Sequence, residues 1–306
     1  MFRRCRICKS FRLKKVFSLG QQPVANRLLE VPHPCKEYPL DLYQCQHCNL
    51  LQLGYVVPKE ELYEEYFYIP SISKTYLRHF NILTTRLIDT LELQPKDLVV
   101  DIGGSDGSFL KFFLKRKMKV VNVEPAKNIK VPPDIPVYRD YFSAKSAQYI
   151  AQTYGKAKLI TATNVFAHID NLQEFLKGLD ILLDEDGVFF AQFPDVRNLL
   201  RENQFDTIYH EHLSYFTYEP LHHLFTLRLR SGQAPPFELW QITSDNIHGG
   251  SMQIWVRRRP KLLEEFIENV ENIRTLLQCE ILDAKSRNQK IVGFGAAAKG
   301  TVLLNS

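Results

Sequence analysis

The sequence predicts an α/β protein: a Rossmann-like parallel sheet, a cysteine-rich module before it and an incomplete α/β domain after it. Three observations carry that reading. From Lys96 onward, short apolar runs alternate with amphipathic stretches, the pattern of βαβ units around a parallel sheet. Five of the six cysteines fall within residues 1–57, which are loop-rich by composition. Near the C-terminal end, "KIVGFGAAAKG" reads as a strand running into a glycine-rich turn, only the start of a doubly wound half.

The elements follow in order. Residues 1–58 form the cysteine-rich module. Residues 59–93 read as helix, interrupted by Pro and Ser at "YIPSIS" (68–73), and make a helical connection over 59–95. "DLVVDIG" is an apolar run ending in Gly, as a buried parallel strand does. "GSFLKFFLKRK" (107–117) is an amphipathic helix and "KVVNVEP" (119–125) a second strand. "AKSAQYIAQTYG" is a helix, "KLITATNV" a strand, "LQEFLKGLDILLDEDG" a helix and "GVFFAQFP" a strand. "TLRLRSGQAPP" (226–236) mixes Arg, Gly and Pro and reads as an inserted loop. "FELWQITS" (237–244) and "GSMQIWVRR" (250–258), separated by Asp, Asn and Gly, read as an antiparallel hairpin. The domain with the parallel sheet spans 96–258, and 259–306 opens with a helix over about 260–285.

Bulk composition excludes little. The chain is 45% hydrophobic and 24% charged, ordinary for a globular protein. A net charge of +5 is too mild to imply nucleic acid, and the basic run from Arg3 to Lys15 reads as a solvated knuckle. No secretory leader pattern follows it, and no apolar run reaches about 18 residues. A cytoplasmic protein is the expectation. Two CxxC pairs fit a reducing compartment with a metal better than a disulfide framework.

Those pairs are "CRIC" (Cys5, Cys8) and "CQHC" (Cys45, Cys48), with 36 residues between them. Four thiolates on two short hooks close a tetrahedral site around Zn²⁺. Full coordination leaves no position for water, so the metal reads as structural. Cys35 and Cys279 read as plain thiols.

"VVDIGGSDGSFL" (99–110) places Asp101 at a strand end, then Gly103, Gly104 and Gly107 before a helix. Such glycines let the backbone approach a ligand. The spacing is G-G-x-x-G, and Asp106 inside the loop would repel a pyrophosphate, which argues against a dinucleotide. A ligand with an amino-acid end and a nucleoside end fits better. Glu124 closes the next strand, 23 residues after Asp101, where a carboxylate can bond both ribose hydroxyls. Asn164, at the end of "KLITATNV", completes the candidate cofactor contacts. This layout resembles that of class I methyltransferases, which bind S-adenosylmethionine.

"IYHEHLSYFT" (208–217) sets two histidines, a glutamate and two tyrosines into ten positions. It is not a zinc helix, since His210 and His212 are two apart rather than four. On an extended segment Tyr209, Glu211 and Leu213 face one way and His210, His212 and Ser214 the other.

Taken with the zinc hooks, "VDIGGSDG", "NVFAHIDNL", "FDTIYHEHLSYFT", "HGGSMQIWV" and "VGFGAAAKG", nearly the whole chain resembles the deoxysugar C-methyltransferases that act on nucleotide-linked keto-sugars. The resemblance implies proton removal next to a keto group, then methyl transfer to that carbon. It implies a zinc domain over the active site, a middle domain for S-adenosylmethionine and a C-terminal domain that helps hold the nucleotide sugar. Carbanion formation needs a base at the carbon and donors at the enolate oxygen. The resemblance makes His212 the base, with Glu211 orienting or tuning it and Tyr209 near the substrate oxygen. His168 joins from "FAHID", and Tyr68, or Tyr66, from "YFYIPS". It implies a chain truncated within the C-terminal domain, because the family carries on beyond Ser306. "GFGAAAKG" holds Gly293, Gly295 and Ala298 in a GxGxxA spacing, weak evidence for phosphate by itself. The expected partner is a small nucleotide-sugar substrate, with no nucleic acid and no membrane, and the chain is expected to be a monomer. The alternatives are another small keto acceptor, or a zinc-ribbon nucleic-acid binder on a methyltransferase-like fold. The latter needs aromatics among its basic residues, and residues 1–16 offer only Phe2 and Phe11.

Overall fold

The computed structural model describes residues 4–26, 35–67, 69–226, 236–259 and 262–290. They belong to two compact units, divided between Arg258 and Arg259.

The first unit opens with β1 (Leu13–Pro23), β2 (Glu37–Cys45) and β3 (Leu51–Leu53). The expectation of a loop-rich stretch is therefore corrected. The signal lay in "EYPLDLYQC", where Tyr38, Leu40 and Leu42 are buried and the residues between them are not. That is the period of a strand with one buried face. Next come α1 (Lys59–Tyr63), a 3₁₀ turn at Pro70–Ile72 and α2 (Lys74–Leu91). Ser73 caps α2, its side chain accepting from the Tyr76 N–H.

The α/β part continues as β4 (Leu98–Ile102), α3 (Ser108–Leu114), β5 (Lys119–Val123), β6 (Val137–Tyr138), α4 (Ala144–Tyr154) and β7 (Ala157–Thr163). It goes on through α5 (Leu172–Leu182), β8 (Leu183–Pro194), α6 (Val196–Glu202), β9 (Ser214–Tyr215), α7 (Tyr218–Thr226), β10 (Phe237–Asp245) and β11 (Ser251–Arg258). The helix expected through Gly187 ends at Leu182, and Leu183–Gly187 belongs to β8. At Gly187 a Cβ would stand 2.7 Å from the Ala157 carbonyl oxygen, so only glycine lets these strands approach.

Seven strands pair in the order β10-β11-β8-β7-β4-β5-β6. The five from β8 to β6 are parallel, and the expected hairpin β10–β11 adds antiparallel to β8. The order of the parallel strands reverses at β4: the chain steps outward to β5 and β6 on one flank, then crosses back to β7 and β8 on the other. In such sheets ligands bind at the C-terminal ends of the strands flanking that switch. The glycine loop after β4 and Asn164 after β7 both lie there.

A second, antiparallel sheet has the order β1-β2-β3-β9. Its last strand comes from the YHEH segment, with Gln52 opposite Ser214 and Leu51 opposite Tyr215. The cysteine hooks are not a separate appendage. Cys5, Ile7, Cys45, Cys48 and Leu50 pack in one apolar cluster with Phe166, Leu179, Phe189 and Phe216 of the α/β part. Arg6, fully buried, ties the two parts together. Its Nη1 donates to the carbonyls of Leu53 and Leu213, both at 3.0 Å, and its Nε to Asp170 Oδ1 at 3.2 Å.

The second unit contains α8 (Leu262–Ser286), on which Phe266, Ile267, Ile273, Leu276 and Leu282 are exposed. The glycine turn with Gly293, Gly295 and Ala298 lies outside the described residues, as do 227–235 of the expected inserted loop. Among the described residues, no helix is long and apolar enough to cross a membrane.

Candidate active site

The four hook sulfurs converge. Cys5 and Cys48 Sγ are 3.5 Å apart, Cys8 and Cys45 Sγ also 3.5 Å, and all four lie within 4.8 Å of one another. A tetrahedron of Zn–S bonds near 2.3 Å has edges of about 3.8 Å, so this donor set fits zinc closely. Cys5 and Cys48 share one hydrogen bond, which favours the Cys5 thiolate and holds the proton on Cys48, and burial raises Cys8. His47 and His223 also approach the half-buried Cys8 sulfur, with the three ligand atoms within 4.8 Å.

A single cavity of about 920 Å³ runs past the C-terminal ends of β4, β5 and β7. Gly103 and Gly104 line it. Gly103 has φ +66°, and a Cβ there would come within 2.5 Å of Val165 Cγ2; on Gly104 it would meet Asn122 Oδ1 at 2.6 Å. Gly107 does not line the cavity. It holds φ +74° before α3, and a Cβ would meet Ile135 Cδ1 at 2.8 Å, so its part is the turn and the helix packing.

Glu124 lines the cavity, with Oε2 accepting from the Ser105 N–H (2.9 Å) and Oε1 from the Ala126 N–H (2.8 Å). Asp101 is buried, and burial pushes its carboxyl up to about 7 although Thr161 Oγ1 donates to it at 2.6 Å. Asn164 Nδ2 donates to Tyr76 Oη at 2.7 Å. Asn164 Oδ1 and Ser105 Oγ are buried without hydrogen-bond partners among the described residues. A glycine cradle, a carboxylate and unmet polar atoms in one cavity fit the donors and acceptors of S-adenosylmethionine.

Tyr209 and His212 of the YHEH segment, which is not extended, line the same cavity. The His212 N–H donates to the Tyr209 carbonyl at 3.0 Å, closing a turn. The turn puts Tyr209 with His212 instead of with Glu211, correcting the alternation expected of a strand. Their rings lie 4.1 Å apart, and Tyr209 Oη is 2.9 Å from His212 Nε2. His212 Nδ1 is 2.8 Å from the Thr207 carbonyl oxygen. A carbonyl only accepts, so Nδ1 carries the proton and Nε2 presents its lone pair to Tyr209 O–H. Burial lowers the His212 pKa to about 4. His210 turns away, 3.3 Å from the Tyr38 carbonyl.

Glu211 does not reach His212. Its carboxylate accepts from Asn26 Nδ2 at 2.6 Å and Tyr66 Oη at 3.0 Å, and burial raises its pKa. Of the two tyrosines offered from "YFYIPS", Tyr66 is placed here, while Tyr68 lies outside the described residues. His168 follows β7 in a 3₁₀ turn, its ring 5.2 Å from that of His212. Burial, then the neighbouring His212, push its pKa well down, and its buried Nε2 has no hydrogen-bond partner among the described residues. Tyr63 stacks on His168 at 6.1 Å and brings a buried Oη without a hydrogen-bond partner among the described residues. Sequence reading missed Tyr63, Asn26 and Thr207. The aromatic run "YEEYFY" (63–68) was a usable signal for Tyr63; Asn26 and Thr207 carried none.

Known proteins agree with this architecture. Residues 5–63 match a family model described as a zinc binding domain, 76–228 one described as a methyltransferase domain, and 258–306 one described as a C-methyltransferase C-terminal domain. Over an alignment of 330 positions the chain is 29% identical to C-methyltransferase NovU of Streptomyces niveus, covering 98% of this chain and 77% of the relative. A S-adenosylmethionine-dependent methyltransferase from Anabaena variabilis superposes with a TM-score of 0.43 at 14% identity, over 68% of this chain and 100% of that one. The plantazolicin methyltransferase BpumL in complex with SAH gives 0.42 at 13% identity, over 59% and 82%. With the methyltransferase-domain model spanning half of the 306 residues and the zinc-binding and C-methyltransferase parts flanking it in order, the chain belongs to the S-adenosylmethionine-dependent C-methyltransferases that also carry a structural zinc.

Proposed function

We propose that the enzyme methylates the carbon next to the keto group of a nucleotide-linked deoxysugar. The observation that carries this is the hydrogen-bonded Tyr209–His212 pair lining the same cavity as Gly103, Gly104 and Glu124. An acceptor bound there lies between a fixed base and the cofactor subsite.

The residues divide the work. Thr207 holds the Nδ1–H tautomer, so His212 Nε2 takes the proton from the carbon. The C–H electron pair passes into the enolate. Tyr209, released from Nε2, donates to the enolate oxygen, as does Tyr63. His168 Nε2, buried beside them, meets the same oxygen or a neighbouring hydroxyl. Gly103, Gly104, Glu124, Asp101 and Asn164 would hold S-adenosylmethionine, which would supply the methyl to that carbon and leave as S-adenosylhomocysteine. The proton on His212 then leaves to solvent.

A mass-spectrometric screen of nucleoside-diphosphate keto-sugars with methyl-labelled S-adenosylmethionine tests this reading. Label on carbon in one of them is the expected result. Label only in other small keto compounds would replace the sugar by the alternative acceptor. On the same reading the partner is a small molecule, and neither nucleic acid nor membrane takes part. On it, too, the chain is a monomer in the cytoplasm, a compartment that suits four reduced thiols gathered for a metal.

The cofactor placement has its own test. Glu124→Ala is expected to weaken S-adenosylmethionine binding by about 1.5–3 kcal/mol, the range for hydrogen bonds to a charged group. The loss exceeds that of Glu124→Gln, which keeps an acceptor for the Ser105 N–H. Calorimetry giving equal affinity for wild type and Glu124→Ala would move the ribose elsewhere.

A further inference from the structure

Glu211 is 2% exposed and does not line the cavity, whereas Asn26 and Tyr66, its two hydrogen-bond donors, do. No ion pair reaches Glu211 among the described residues. A buried carboxylate without a cation is costly to keep, so it calls for a role in orienting its neighbours. An ionised carboxylate only accepts. It therefore takes the nitrogen of the Asn26 carboxamide and the proton of Tyr66 Oη. The end of the carboxamide turned away from Glu211 is its carbonyl oxygen.

We propose that Asn26 determines acceptor specificity: held by Glu211 through Nδ2, it offers Oδ1 to a hydroxyl or amino donor on the sugar ring. The inference rests on the methylation reading above. It gives the cavity two faces of opposite polarity. Tyr209 and Tyr63 donate to the keto oxygen, and Asn26 accepts from a ring substituent. A ring that satisfies both can sit in one register only, which selects the carbon facing His212. An analogue without the donor leaves Oδ1 desolvated and unpaired, a discrimination of roughly 10- to 100-fold for one such group.

The probes are nucleoside-diphosphate keto-hexoses in matched pairs, hydroxylated or deoxygenated at one ring carbon, with labelled S-adenosylmethionine. Wild type is expected to prefer the hydroxylated member of one pair by about 10- to 100-fold in kcat/KM. Asn26→Leu, similar in size but without polar atoms, is expected to lower kcat/KM for that member much more than for its partner. Glu211→Gln should blunt the preference as well, because an amide can donate to Oδ1 and let the Asn26 carboxamide turn over. Zinc content and S-adenosylmethionine affinity, expected to be unchanged in both variants, report on folding. Equal slowing of both members, with the preference kept, overturns the subsite and leaves the methylation reading standing. A wild type that distinguishes no pair does the same. A wild type that methylates no keto-hexose overturns that reading and the subsite together.

Discussion

Replacing His212 with Ala is expected to lower both proton exchange at the substrate carbon and methylation by roughly 10²–10⁴-fold, the contribution of a placed general base. The geometry makes the expectation sharp. Nδ1 is committed to the Thr207 carbonyl, so one nitrogen, Nε2, is left as the base. Its pH dependence follows from burial. The neutral form is needed, and burial lowers the pKa to about 4. Exchange should stay level from neutral pH down to about pH 5 and fall only as pH drops through the folded value, tenfold per unit below it. An acid limb near 6.5 would mean a solvated imidazole and a different site geometry. Heavy-water exchange that survives in His212→Ala while methylation falls would leave His212 a role in methyl-transfer geometry alone. His168, with its unbonded Nε2 beside the cavity, would then become the base.

Removal of the zinc is expected to abolish methylation while S-adenosylmethionine still binds. Thiolate ligation couples the metal to folding of its module. That module is continuous with the catalytic segment. β3 pairs with β9, two residues after His212, and Arg6, between Cys5 and Cys8, holds the Leu213 carbonyl. Loss of the hooks therefore displaces His212, and a displacement of about 1 Å can cost roughly 10²-fold in rate. Gly103, Gly104 and Glu124 follow β4 and β5 of the other sheet. Cys45→Ser should thus lack zinc by elemental analysis, lose at least about 10²-fold in turnover and keep its cofactor affinity within about threefold. Full turnover in zinc-free protein would uncouple the module from catalysis. Loss of cofactor binding to the same extent would show that the shared core, with Cys5 and Phe189 in one cluster, fails as a whole.

What the sequence by itself determined was local. The CxxC spacing named four cysteines whose sulfurs the fold brings within 4.8 Å of one another, because two short hooks suffice to aim them. The alternation of apolar runs and amphipathic stretches from Lys96 named the main strands and helices of the sheet, with an end misplaced at Leu182 and the short elements β6, α6, β9 and α7 left unread. The glycine loop and Glu124 were readable because their geometry is set by a single turn and the next strand end. What only the tertiary structure decided was set by contacts across long stretches of chain. Arg6 reaches Asp170 over 164 residues and Leu213 over 207. Asn26 meets Glu211 over 185, and Tyr66 meets it over 145. No periodicity encodes such meetings, so the zinc hooks read as a separate module and Glu211 as a partner of His212. Within "YHEH" itself the outcome turned on one backbone bond, His212 N–H to the Tyr209 carbonyl. A strand and a turn place the same four side chains in opposite company. The choice between them was made by the strand pairing and carbonyl contacts on either side, which a ten-residue window does not contain.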